Sequence, residues 1–64
     1  MPDDMKPSVP VGEIRTFGAY GPKYQIGERF KAHNGEWLVE VTLVETNEKA
    51  DYRLERLRND PIAL

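Results

Sequence analysis

Tyr24-Gln-Ile-Gly-Glu-Arg-Phe-Lys-Ala-His-Asn34-Gly35-Glu-Trp-Leu-Val-Glu-Val-Thr-Leu-Val44 is the stretch that decides the fold. Apolar and polar residues alternate through most of it, the period of a strand with one buried face. Asn34-Gly35 interrupts the alternation. The pair suits a two-residue type I′ turn, in which both central residues need positive φ. Such a turn sets Ala32 opposite Trp37, Phe30 opposite Val39, Glu28 opposite Val41 and Ile26 opposite Leu43. Trp37, Val39, Val41 and Leu43 then share one face. A second turn at Asn47-Glu48 sets Leu43 opposite Tyr52 and Val41 opposite Leu54, so Ile26, Phe30, Tyr52 and Leu54 join the same surface. Two features sit badly in this scheme. Glu28 would point into the apolar face unless Gly27 opens a bulge that re-aims it. Leu38 and Val44 fall on the opposite face beside Glu40 and Thr42, where only a curled sheet, the first strand or the leader would cover them.

Outward from this core, Ile14 and Phe17 flank Arg15-Thr16 in a short first strand over residues 12–17. Gly18-Ala-Tyr-Gly21-Pro22 then reads as a loop with special backbone angles. Residues 1–10 hold Pro2, Pro7 and Pro10 with few apolar groups and read as a flexible leader. Downstream, Leu54 and Leu57 stand three apart, the spacing of one helical or 3₁₀ turn that Pro61 limits. The expected class is all-β, mainly β: a small, strongly bent antiparallel sheet of four or five strands. It is expected to form an SH3-like barrel with a short C-terminal helical turn. One domain over 11–61 is expected, with 62–64 as tail.

Composition narrows the function. The chain has 64 residues, which allows one small domain that buries only ~60% of its unfolded surface. It has no cysteine, hence no disulfide and no thiolate metal site. The net charge of −2 argues against a whole-domain nucleic-acid footprint. Residues 1–33 carry five basic against four acidic side chains, and residues 34–64 four against seven. Asp3-Asp4 stands where a secretory signal needs bases, and no run approaches the ~18 apolar residues of a membrane helix. The expectation is a cytoplasmic chain with no membrane association.

No catalytic set emerges. His33 is the single histidine, placed at a hairpin tip without a second ligand, and Ser8 is the single serine, placed in the leader. Gly18 and Gly21 lack the spacing of a phosphate loop. Carboxylate pairs stand at Glu36 with Glu40, Glu45 with Glu48 and Glu55 with Asp60; those on the central strand read as its solvated side, and only Glu28 hints at the desolvation that acid–base work needs. The expectation is no enzyme, no cofactor and no metal. The most function-like stretch is Arg15-Thr-Phe-Gly-Ala-Tyr-Gly-Pro-Lys-Tyr24, which mixes three aromatics with two cations. Arg15, Tyr20, Lys23, Tyr24 and Trp37 are therefore the candidate binding residues, against a structural reading in which Phe17, Tyr24 and Trp37 fill the core.

Pro10-Val-Gly12, Ile14-Arg15, Phe17-Gly18, Gly21-Pro22 and Tyr24, then Trp37-Leu38, Tyr52-Arg53 and Asp60-Pro61, resemble a family of small bacterial proteins of unknown function. That family has a "PVG–R–FG––GP–Y" opening and a "Y–––––L–DP" close, matched loosely here because Leu57 lies two residues early. The resemblance implies a bacterial cytoplasmic origin and no activity. Two functions from different classes follow from the residues. The first is a protein-interaction module: an adaptor, inhibitor or antitoxin-like accessory subunit, binding another protein or itself through Leu38, Val44 or an open edge. The second is a small β-barrel that binds single-stranded nucleic acid through Arg15, Tyr20 and Lys23, with Arg29 and Lys31 in support.

Overall fold

The computed structural model describes residues 8–32 and 34–63. Most of the expected leader, together with His33 and Leu64, lies outside the described residues. Four strands follow one another in sequence and in space: β1 (Ile14–Thr16), β2 (Lys23–Lys31), β3 (Trp37–Leu43) and β4 (Lys49–Arg53). All neighbours pair antiparallel in the order β1-β2-β3-β4. A single helical turn, α1 (Leu54–Leu57), leaves β4 directly. It packs Leu54 and Leu57 against Tyr24, Ile26, Val39 and Val41, and these six side chains are the buried core.

The sheet is open, which corrects the SH3-like barrel expected from the sequence. β1 and β4 do not pair. The outer edge of β1 is taken instead by the segment after the helix. Thr16 donates its N–H to the Pro61 carbonyl at 3.1 Å, and Ala63 donates to the Ile14 carbonyl at 2.9 Å. Arg15 and Ile62 form an antiparallel bridge between them. The physical reason is volume. The two leucines of α1 fill the space that a closing strand would occupy, and β1, three residues long, has no edge left to offer. Ile62 and Ala63, the first two residues of the expected tail, run along this edge.

Both hairpins form, with registers that differ from the expected ones. The first loop has three residues rather than two. Ala32 donates its N–H to the Glu36 carbonyl at 2.9 Å, and Gly35 donates back to Ala32 at 3.0 Å. Gly35 has φ of 84°, a left-handed angle that costs an L side chain ~1–2 kcal/mol. The Asn34 side-chain oxygen accepts the Glu36 N–H at 3.0 Å and secures the turn. Phe30 therefore faces Leu38, not Val39, and lies on the face away from the core.

A one-residue slip would turn all of β2 over, but the strand corrects itself. Between Ile26, paired with Val41, and Arg29, paired with Val39, two residues oppose one. This is the expected bulge at Gly27-Glu28, and it returns Ile26 and Tyr24 to the core face. Only glycine fits there, because a Cβ at position 27 would stand 2.6 Å from the Glu40 carbonyl oxygen. In the second hairpin Leu43 donates its N–H to Glu48 at 2.7 Å, and Asn47, with φ of 65°, donates to Leu43 at 2.8 Å. The four-residue loop sets Val39 opposite Tyr52 and Val41 opposite Ala50. This register differs by an even number from the expected one, so Tyr52 keeps its face. Leu54 reaches the core from the helix and not as a partner of Val41.

Candidate functional site

Three aromatic rings meet where β1, β2 and β4 converge above the helix. Phe17 stacks on Tyr24 with centroids 4.3 Å apart, and Tyr52 meets both edge-on at 5.0 and 5.5 Å. Buried tyrosines need partners for their hydroxyls. Asp60 supplies one for both: its Oδ2 accepts from the Tyr24 hydroxyl at 2.7 Å and the Tyr52 hydroxyl at 2.8 Å. Its Oδ1 accepts the Gly18 N–H at 3.1 Å.

This network moves all three ionisations. Burial and the Asp60 hydrogen bond raise the Tyr24 hydroxyl far above its ordinary value. The same two causes push Tyr52 up to about 12. For Asp60, burial pushes upward. The two tyrosine hydroxyls, the Gly18 amide and the Arg15 charge oppose it, and the net direction is down. Asp60 is thus a carboxylate held ionised with both oxygens engaged. Arg15 completes the cluster by donating to Glu13 at 2.6 Å and to the Leu57 carbonyl at 2.8 Å, which ties β1 to the end of α1. A shallow groove of about 450 Å³ opens beside it, lined by Phe17, Gly18, Tyr52, Arg56, Asn59 and Asp60.

The structure does not bring the five candidate binding residues together. Tyr24 is fully buried, and Arg15 is engaged within the fold. Tyr20 is fully exposed in the loop between β1 and β2, with Lys23 exposed just beyond it. Trp37 lies at the other end of the sheet, because β3 runs antiparallel to β2 and Lys31 is its partner. Six residue steps along β3 separate the two ends by ~20 Å.

A second groove, of about 380 Å³, lies at that far end. It is lined by Glu28, Arg29, Phe30, Lys31 and Trp37. The Lys31 ammonium stands 5.7 Å from the centre of the Trp37 ring, within the range of a cation–π contact. The Arg29 Nε is buried without a hydrogen-bond partner among the described residues. The groove follows the outer edge of β2. β1 pairs with Lys23, Tyr24 and Gln25, and the chain before it reaches Ile26. Beyond that point no strand among the described residues covers β2. Sequence reasoning placed Arg29 and Lys31 only in support of nucleic-acid binding and did not identify Asp60 as a centre. The available signal for Asp60 was two tyrosines on a core face, whose hydroxyls require an acceptor.

Among the described residues no cluster of histidine, cysteine and carboxylate side chains could hold a metal ion. No helix of the described chain is long and apolar enough to cross a membrane. Residues 3–64 match a family of unknown function, DUF5397. An uncharacterized protein of Haemophilus influenzae (strain ATCC 51907 / DSM 11121 / KW20 / Rd) is 38% identical over 61 residues, spanning 94% of this chain and 97% of the relative.

Proposed function

The chain belongs to the DUF5397 family of small bacterial proteins, and from that premise we propose that it is a non-enzymatic protein-interaction module of the cytoplasm, an adaptor, inhibitor or antitoxin-like accessory subunit. The observation that carries the reading is the edge of β2 over residues 27–31, which no described strand covers, bordered by a groove with Trp37, Arg29 and Lys31. Exposed strand edges are templates for pairing, and Trp and Arg are enriched where binding energy concentrates. The chemistry of Asp60 supports the same reading. A carboxylate held ionised by three donors and a nearby arginine is a poor proton shuttle. Self-association is a variant of the proposal, favoured by Val44, which is exposed, and Leu38, which is half-buried on the open face.

One observation favours single-stranded nucleic acid instead: Tyr20 is fully exposed close to Lys23. It leaves one aromatic and one cation on that loop, because Tyr24 and Arg15 are used inside. Site-specific photocrosslinking in the native host tests both readings. A benzophenone side chain would be placed in turn at positions 20, 31, 49 and 55. The proposal expects a discrete protein adduct from at least one position. No protein adduct from any of the four, or a nuclease-sensitive adduct from position 20, overturns it.

A further inference from the structure

We infer that the edge of β2 at Arg29–Lys31 adds a strand from a partner polypeptide that carries acidic side chains at two alternating positions. This rests on the interaction-module reading and specifies where it acts and on what. The backbone of the edge is presented for pairing. Ala32 donates its N–H to the Glu36 carbonyl at the hairpin end, which makes this a bonded position of the ladder. In an antiparallel ladder such pairs alternate. Phe30 with Leu38 is therefore the next bonded pair, while Lys31 with Trp37 and Arg29 with Val39 are the unbonded ones. The N–H and C=O of Arg29 and of Lys31 consequently point away from β3, toward the side that no described strand covers. Four alternating donors and acceptors at two-residue spacing are what an added strand satisfies.

The side chains specify the partner's charge. Arg29 and Lys31 pair with Val39 and Trp37, so both project on the core face of the sheet at its rim. Neither makes an ion pair with another described residue. The Arg29 Nε is already out of water with no acceptor among the described residues, a state that an incoming carboxylate would relieve. Residues directly opposite on a neighbouring strand lie ~5 Å apart, so acids at positions i and i+2 of the added strand would face Arg29 and Lys31. A second copy of the same edge does not fit. A two-fold antiparallel pairing centred on Phe30 sets Arg29 against Lys31 of the other copy, like charge against like. A nucleic acid supplies phosphate acceptors but cannot meet the outward carbonyls of Arg29 and Lys31 with matching N–H groups.

The test selects displayed random decapeptides on the full chain and counter-selects on Arg29→Gln/Lys31→Gln. The expected consensus has Asp or Glu at i and i+2 in a β-prone background. A synthetic peptide of that consensus should shift the amide resonances of Arg29 and Lys31 and the Trp37 indole. It should bind the double variant at least tenfold more weakly. N-methylation of the peptide at the residues facing Arg29 and Lys31 should abolish binding. The inference is overturned if the enriched peptides lack the acidic pair, bind the double variant equally well, or shift β4 instead. It is equally overturned if nothing is enriched. A protein adduct from position 20, 49 or 55 alongside such a failure keeps the interaction-module reading and discards this site. No protein adduct anywhere discards both.

Discussion

Asp60→Ala removes the acceptor that serves two tyrosines and a loop amide at once, and its cost can be worked from the geometry. Tyr24 is fully buried, so when the carboxylate leaves its hydroxyl loses its protein acceptor and meets only such water as enters from the adjoining groove. An orphaned buried donor costs ~1–3 kcal/mol. Tyr52 and Gly18 lie nearer the surface, so water replaces much of what they lose and they add ~1 kcal/mol together. The expected loss is about 3 kcal/mol. The whole stability of a 64-residue domain is ~3–10 kcal/mol. Urea unfolding followed by Trp37 fluorescence would measure the loss, and a double-mutant cycle with Tyr24→Phe would assign it. Tyr24→Phe alone should cost ~1 kcal/mol. In the Asp60→Ala background it should cost nothing or stabilise, because the stranded hydroxyl disappears, giving a coupling of ~1–2 kcal/mol. A loss under ~1 kcal/mol, or a strictly additive cycle, would refute the assignment of Asp60 as the hydroxyl acceptor that holds the cluster.

The folded pKa of Asp60 lies below its ordinary value. Its contribution is therefore complete above the unfolded pKa of ~4 and lost as pH falls through the folded value. Urea midpoints should drop below about pH 4 in the parent chain and less steeply in Asp60→Asn. Tyr24 and Tyr52 are shifted the other way, so their contribution is intact below the ordinary value of 10.0 and fades as pH rises, toward about 12 for Tyr52. Tyrosinate absorbance from these two should rise together with loss of the sheet signal in circular dichroism, and ionisation ahead of unfolding would contradict the placement. Gly27→Ala should destabilise by ~1–3 kcal/mol, since its Cβ meets the Glu40 carbonyl at 2.6 Å; an unchanged melting temperature would show that the bulge can open without cost. Asn47→Gly should be neutral or raise the melting temperature, whereas Asn47→Val should cost ~1–2 kcal/mol at φ of 65°.

The strand pattern was legible because alternation survives changes of loop length. Val39, Val41 and Tyr52 are on the face that alternation assigns them, and Gly27 makes the bulge that Glu28 demands. The registers were not legible, because each depends on a single left-handed residue. At Gly35 and Asn47 one positive φ adds one or two residues to a loop. That difference moved Phe30 to the open face. The barrel failed for a reason spread over the whole chain: Pro61, Ile62 and Ala63 occupy the edge that closure required. The candidate binding set mixed two populations for a related reason. Arg15 and Tyr24 have the composition of a recognition loop, yet Leu57 and Asp60, more than thirty positions away, claim their polar atoms. Arg29 and Lys31 were visible only as scattered cations until the three-residue loop set both on the Trp37 side of an edge that no described strand covers.

The Asp60 contacts also set the order in which the fold is completed and undone. Each hairpin of the β2–β3–β4 meander closes over three or four loop residues. Asp60 instead reaches back 36 positions to Tyr24 and 42 to Gly18. Closing such long loops is slow relative to local pairing, so these bonds belong to the last stage of folding and to the native side of the barrier. Interactions formed after the barrier slow unfolding while leaving the folding rate almost untouched. Asp60→Ala should therefore shorten the folded lifetime of the domain, and with it resistance to unfolding-dependent proteolysis, by freeing the segment after the helical turn from the β1–β2 loop and β2.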